Sequence, residues 1–280
     1  MIIKTPILLK IFSVIMAKWN WAKTPFVVSA FLLLFACSSK RDTKAEADAT
    51  IPYLIFKIFP HDTEAFTQGL VVAEGKLIES TGQYGTSWIA EVDIATGKQN
   101  KKVILDKEYF GEGVTVLNNK VYQLTWKNMK GFIYDFRTYE KLGEFTYDSE
   151  GWGITHDHVN LIMSDGSDKL YFLDTLSLKP VRTVAVTEND KPVKNLNELE
   201  YIEGYVYANL WQTNYIVRID PVTGKVLGRL DLTKVAEAVY PGNPNADVLN
   251  GIAYEPKSKM ILITGKLWPN MVAIKFKEGN

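Results

Sequence analysis

The sequence predicts an all-β protein, a five-bladed β-propeller whose ring is closed by its own N-terminal strand. Three observations carry this. From about residue 51 onward, short apolar runs alternate with turns rich in Gly, Asn and Asp. One motif recurs five times at steps of 40–53 residues, the length of a four-stranded blade. The fifth unit stops after its third strand, while residues 52–59 (PYLIFKIF) make a strand with no blade of its own.

The units open with FTQGLVV, FGEGVTV, EGWGITH, LNELEYI and VLNGIAY, each read as an innermost strand. One column in them holds Gln68, Glu112, Trp152, Asn197 and Asn250, next to a Gly in four of the five units. A turn and a second strand follow: KLIESTG, KVYQLTW, NLIMSDG, YVYANLW and MILITGK. Fourteen residues after the first column stand Gly82, Trp126, Gly166 and Trp211; in the fifth unit the gap is sixteen and reaches Lys266. The third strands are WIAEVD, GFIYDF, KLYFLD, YIVRID and NMVAIKF. Four of them end in an Asp turn, at Asp93, Asp135, Asp174 and Asp220, after which a fourth strand resumes. Residues 232–239 (LTKVAEAV) are the one candidate short helix. A lone antiparallel sheet of four strands leaves a face exposed, so the blades must stack around an axis. The N-terminal strand then completes the last blade and hides an edge that would invite aggregation.

Ahead of the propeller, residues 25–36 (PFVVSAFLLLFA) form an apolar run preceded by Lys18 and Lys23. It is short for a membrane span and fits the apolar part of a secretory signal. It leads into Leu34-Phe35-Ala36-Cys37-Ser38-Ser39, which resembles a bacterial lipobox, with Cys37 as the lipidated residue. Cys37 is the one cysteine of the chain, so no internal disulfide is expected. Met16 would start a signal of ordinary length. The expected organisation is a signal peptide with lipobox over 1–37, a flexible polar tether over 38–50, and a propeller domain over 51–280. The expected location is the bacterial cell envelope, with membrane attachment through the lipid alone and the domain a monomer. Lys+Arg and Asp+Glu both number 32, so nothing favours nucleic acid as a partner.

The innermost strands of a propeller line its channel, and loops at one end form the binding mouth. The first column therefore sends Gln68, Glu112, Trp152, Asn197 and Asn250 toward one axis. The second adds Trp126, Trp211 and Lys266. One carboxylate, three amides, three indoles and an ammonium compose a ligand site, apolar walls with a few polar groups. The competing reading at this point is polar channel filler bridged by buried water.

The motifs FTQGL, YFGEG, GFIYD, EGWG, SDGS, LNELEYI, RIDP, VLNGIA and TGKLWP occur here in the order found in the plant and bacterial glutamine cyclotransferases. The chain resembles that family over about residues 51–278. The resemblance implies cyclisation of an N-terminal glutamine of peptides or proteins to pyroglutamate with loss of ammonia, without a cofactor or metal. It places the catalytic glutamate on Glu112 and further functional residues on Trp152, Asn197, Trp211 and Lys266.

For that reaction the α-amine attacks the side-chain amide of the same residue, so no enzyme nucleophile is needed and orientation dominates. Glu112 is expected to move the proton. Lys266, Asn197 and the Trp152 or Trp126 indole N–H are candidates to meet the oxyanion, and Lys266 could equally form a salt link to Glu112. Trp211 and Trp126 are expected to wall the pocket, with Gln68 and Asn250 on the substrate side. His156-x-His158 lacks a third ligand for zinc and is read as loop. Glu198 and Glu200 are read as inter-blade hydrogen-bonding residues, and Asp165 as a turn former. Two other functions remain open on the residues alone. One is a calcium-dependent, lactonase-like hydrolase using Glu112, Asn197 and Asn250; the other is a binding propeller without catalysis.

Overall fold

The computed structural model describes residues 50–277. The signal segment, the lipobox with Cys37 and all of the tether except Thr50 lie outside the described residues.

Five four-stranded antiparallel sheets are arranged as blades. Blade 1 comprises Thr67–Ala73, Lys76–Thr81, Trp88–Val92 and Gln99–Ile104. Blade 2 comprises Gly111–Leu117, Lys120–Thr125, Lys130–Asp135 and Lys141–Thr146. Blade 3 comprises Ile154–His156, Asn160–Ser164, Lys169–Asp174 and Pro180–Ala185. Blade 4 comprises Leu196–Ile202, Tyr205–Leu210, Tyr215–Ile219 and Val226–Asp231. Blade 5 takes Leu249–Glu255, Met260–Gly265 and Asn270–Phe276 from the C-terminal end, and its outer strand is Tyr53–Pro60 from the N-terminal end. That strand pairs antiparallel with Asn270–Phe276, from Tyr53 opposite Phe276 to Pro60 opposite Asn270. The ring is therefore closed by hydrogen bonds between the two ends of the domain, as the sequence predicts.

Five apolar seams hold the blades together, one per interface. Val71, Ile78 and Ile89 meet Val114, Phe132 and Phe136 between blades 1 and 2. Leu124 and Phe145 meet Ile154 and Leu161 between blades 2 and 3. Phe172 and Leu170 meet Val206 and Val217 between blades 3 and 4. Tyr207 and Ile216 meet Ile252, Ile263 and Trp268 between blades 4 and 5. Leu70, Leu77 and Val92 meet Phe59, Leu262 and Met271 across the closing interface. Each sheet thus buries both faces, which explains why strands such as MILIT and KVYQL are apolar without clean alternation.

The turns follow their residues. Glu74-Gly75, Asn118-Asn119 and Glu203-Gly204 link the first two strands of blades 1, 2 and 4 with positive φ at both central positions, the type I′ geometry of tight hairpins. Blade 5 uses a longer turn, closing on Glu255 opposite Met260, and this accounts for its two extra residues between the repeat columns. The Asp turns are real: Asp135 Oδ1 accepts the N–H groups of Arg137 and Thr138, and Asp220 Oδ1 accepts those of Val222 and Thr223. Asp165 likewise closes a turn on the N–H of Ser167. Between blades 4 and 5 lies the helix Thr233–Val239, which seats Val235, Ala236 and Val239 in the adjoining seam.

Candidate active site

The first column sits where the inner strands break register. In blades 1, 2, 4 and 5 the pairing slips between Thr67 and Gly69, Gly111 and Val114, Leu196 and Leu199, and Leu249 and Ile252. Gln68, Glu112, Asn197 and Asn250 lie in these bulges, which release a residue from the ladder and re-aim its side chain. In blade 3, Trp152 precedes the strand and bonds through its N–H to Ser164 O. The second column stands at the same end because the hairpins are antiparallel. Thr67 faces Thr81, Gly111 faces Thr125 and Leu249 faces Gly265, so the next residue in each case is Gly82, Trp126 or Lys266. The fourteen-residue spacing is the hairpin length. Close approach at the axis needs glycine: a Cβ on Gly113 would lie 2.7 Å from Ile154 N in the next blade.

A cavity of about 230 Å³ opens at this end, lined by Phe66, Gln68, Phe110, Glu112, Trp126, Trp152, Asn197, Trp211 and Lys266. Seven of the eight residues expected at the site are on its wall. Asn250 is not. It is fully buried one layer behind, where its Nδ2 donates to Gln68 Oε1 at 3.2 Å and to Thr67 O at 3.1 Å.

Glu112 is 4% exposed and its Oε1 accepts a 2.9 Å hydrogen bond from Gln68 Nε2. Its Oε2 has no hydrogen bond among the described residues. Burial raises its pKa well above the ordinary value; the Lys266 charge and the Gln68 bond oppose this and Glu150 adds to it. Lys266 is 6% exposed and its Nζ lies 4.8 Å from the centre of the Phe66 ring. Burial lowers its pKa, against the charges of Glu112 and Asp247. Among the described residues no carboxylate oxygen is within 4.0 Å of Lys266 Nζ, so of the two roles left open for Lys266 the contact salt link to Glu112 does not form. The two act on each other through the cavity.

The indoles wall the cavity as expected, but two of their N–H groups are already taken. Trp126 Nε1 and Trp152 Nε1 both donate to Glu150 Oε2, at 2.7 Å and 3.0 Å, so neither points a free donor at an oxyanion. Trp152 packs edge-on against Trp211, with centroids 5.5 Å apart, and Trp126 against Phe110 at the same separation. Asn197 lines the cavity, and its Oδ1 is buried without a hydrogen-bond partner among the described residues. Phe66, Phe110 and Glu150 escaped the sequence reading. Phe66 and Phe110 stand two residues before column positions, and this offset is the signal that could have found them.

Behind the site, the channel is crossed by Glu198, which fills the place that Gly holds in the other units. Its Oε1 and Oε2 accept the N–H groups of Leu70 and Ile252, at 3.2 Å and 2.8 Å, so blade 4 is tied to blades 1 and 5. Glu200 accepts Tyr254 N–H at 2.8 Å. Both are the inter-blade residues expected. His156 ends a strand and His158 follows it in a turn. Among the described residues no group of three or more His, Cys, Asp or Glu side chains is arranged to hold a metal ion.

The glutamine cyclotransferase family model matches residues 28–276. A glutaminyl-peptide cyclotransferase of Arabidopsis thaliana is 42% identical over 225 residues, which span 79% of this chain and 70% of that protein. The crystal structure of Myxococcus xanthus glutaminyl cyclase superposes with a TM-score of 0.76 at 34% identity, covering 81% of this chain and 97% of that one. With the five-bladed ring and the motif residues gathered on one cavity, the chain belongs to the glutamine cyclotransferase family.

Proposed function

We infer that the chain is a glutaminyl-peptide cyclotransferase, converting the N-terminal glutamine of a peptide or protein to pyroglutamate and ammonia, with Glu112 as the proton carrier. The observation that carries the assignment of Glu112 is its setting: a buried carboxylate held by one oxygen, its other oxygen unbonded on the wall of a cavity whose polar lining also includes Lys266 and Asn197. The cavity is small and apolar, a fit for one glutaminyl side chain folded back on its own amine. The α-amine attacks the amide carbon and passes a proton to Glu112. The carbonyl oxygen becomes negative and meets the Lys266 ammonium on the wall. Glu112 then returns the proton to the amide nitrogen, the C–N bond breaks, ammonia leaves and the lactam remains. The raised proton affinity of Glu112 suits both transfers, since a carboxylate with too low a pKa would not accept from an amine. The Asn197 side-chain amide stands on the same wall as a further donor for the carbonyl oxygen. Trp152, Trp211, Trp126, Phe66 and Phe110 exclude water.

Ammonia release from a Gln-Ala dipeptide tests this. The wild type should release it, and Glu112→Gln should lose at least ~10²-fold in rate with the fold intact. An active Glu112→Gln enzyme would remove the residue from its role, and a wild type inert on every N-terminal Gln peptide would favour a binding propeller.

The sequence further supports an exported, monomeric lipoprotein anchored through Cys37. Radiolabelled palmitate should enter the wild-type chain in bacterial cells and not Cys37→Ser.

A further inference from the structure

Two tryptophans of the cavity come from different blades, and both end on the same atom. Trp126 follows the second strand of blade 2, and Trp152 precedes the first strand of blade 3. Each donates its indole N–H to Oε2 of Glu150, at 2.7 Å and 3.0 Å. Glu150 itself is placed by the chain that joins these blades. Gly151 N–H bonds Trp126 O at 3.2 Å. Tyr147, just upstream, accepts Thr125 N–H at 2.9 Å and donates to Thr125 O at 2.6 Å. The carboxylate is half-buried and lies outside the cavity wall, behind the indoles. The other ring contacts are less directional: Trp152 on Trp211 and Gly166, Trp126 on Phe110 and under Lys127 Nζ. A charged acceptor shared by two indoles is a strong and directional restraint.

We propose that Glu150 is a positioning residue of this enzyme: one of its oxygens locks Trp126 and Trp152 in the orientation that shapes the pocket for the glutaminyl residue. The proposal rests on the reading that this cavity receives that residue. Glu150 has a second effect, through charge. It faces Glu112 across the indoles and favours the protonated form of that acid. The other ionisable groups near the pair are Lys266 on the cavity wall, Asp247 and Tyr147, which act on Lys266 and Glu112 through charge, and Lys127, whose Nζ lies 4.0 Å from the centre of the Trp126 ring. Lys266 opposes the effect of the Glu150 charge on Glu112. Removing that charge therefore lowers the proton affinity of Glu112, and the acid limb of kcat/KM moves to lower pH.

Three variants of the full chain separate these effects, each assayed for ammonia release from Gln-Ala across pH and examined by near-ultraviolet circular dichroism. Glu150→Gln keeps an acceptor and loses the charge: its KM should stay within about threefold of wild type, with the acid limb shifted down. Glu150→Ala loses both: its KM should rise at least ~tenfold, and the tryptophan bands should change. Glu150→Asp should recover part of the loss seen with Ala. A KM in Glu150→Ala equal to that of the wild type, or an acid limb in Glu150→Gln that does not move, overturns the proposal. So does a fall in melting temperature alone, which marks a merely structural role. Glu112→Gln measured alongside keeps the outcomes apart, because its activity judges the site and not Glu150.

Discussion

Gln68 from blade 1 holds Oε1 of Glu112 from blade 2 at 2.9 Å, and is itself held by Asn250 from blade 5 at 3.2 Å. An acid that must accept and return a proton within one active-site geometry needs a fixed direction, and these amides supply it from two neighbouring blades. The bond also stabilises the charged form of Glu112, against its burial.

Gln68→Leu, close in size, should therefore reduce kcat by roughly tenfold through lost orientation. It should also move the acid limb of kcat/KM to higher pH. The sign follows from the role: Glu112 must be ionised in the free enzyme to accept the amine proton, and losing a donor to its charged form raises its pKa further. A pH–rate profile of wild type and variant checks both. An unshifted limb would show that Gln68 only fills space.

Gly166 lies against the face of Trp152. A Cβ there would come within 2.6 Å of Trp152 Cζ2, and φ is +79°. Gly166→Ala should thus cost about 1–3 kcal/mol of stability through strain and overpacking. It should also raise KM by displacing the indole, with a smaller effect on kcat. Thermal unfolding and steady-state kinetics read the two separately.

Glu200 is buried between blades and its pKa is pushed up to about 8 by that burial, more than the N–H groups of Tyr254 and Tyr201 and the Thr155 hydroxyl can offset. A carboxyl with a raised folded pKa is stabilising when protonated, so its contribution is full below the unfolded value near 4.5 and fades as pH rises toward about 8. Glu200→Gln keeps an acceptor for Tyr254 N–H and cannot ionise. Its stability should fall less than that of the wild type between pH 5 and about pH 8. Urea unfolding at a series of pH values checks this, and parallel curves would show that Glu200 does not titrate in the folded domain.

Repetition made much of this fold legible. The five-fold recurrence, the Asp turns, the short helix and the unmatched strand at 52–59 all follow from local spacing, because hairpin length and turn chemistry are set by near neighbours in the chain. The site columns were legible for the same reason. Gln68 and Trp126 could be assigned to one end of the ring since the start of an inner strand faces the end of the next strand in any antiparallel hairpin. Asn250 shared its column with Glu112 and yet lies behind the wall. A bulge frees a side chain from the ladder, but the neighbouring blade decides where it then points.

By itself, the sequence determined the five blades, the unmatched strand left to close the ring and seven of the eight residues at one mouth, since the repeat, its hairpin spacing and the missing fourth strand are all written in the order of the chain. Only the tertiary structure decided what those residues do to one another. That Glu150 takes both indole N–H groups, that Lys266 stands off from Glu112, and that Glu198 spans the channel to Leu70 and Ile252 are meetings between blades. Their distances depend on how sheets pack face to face around the axis, and no local pattern in the chain records that packing.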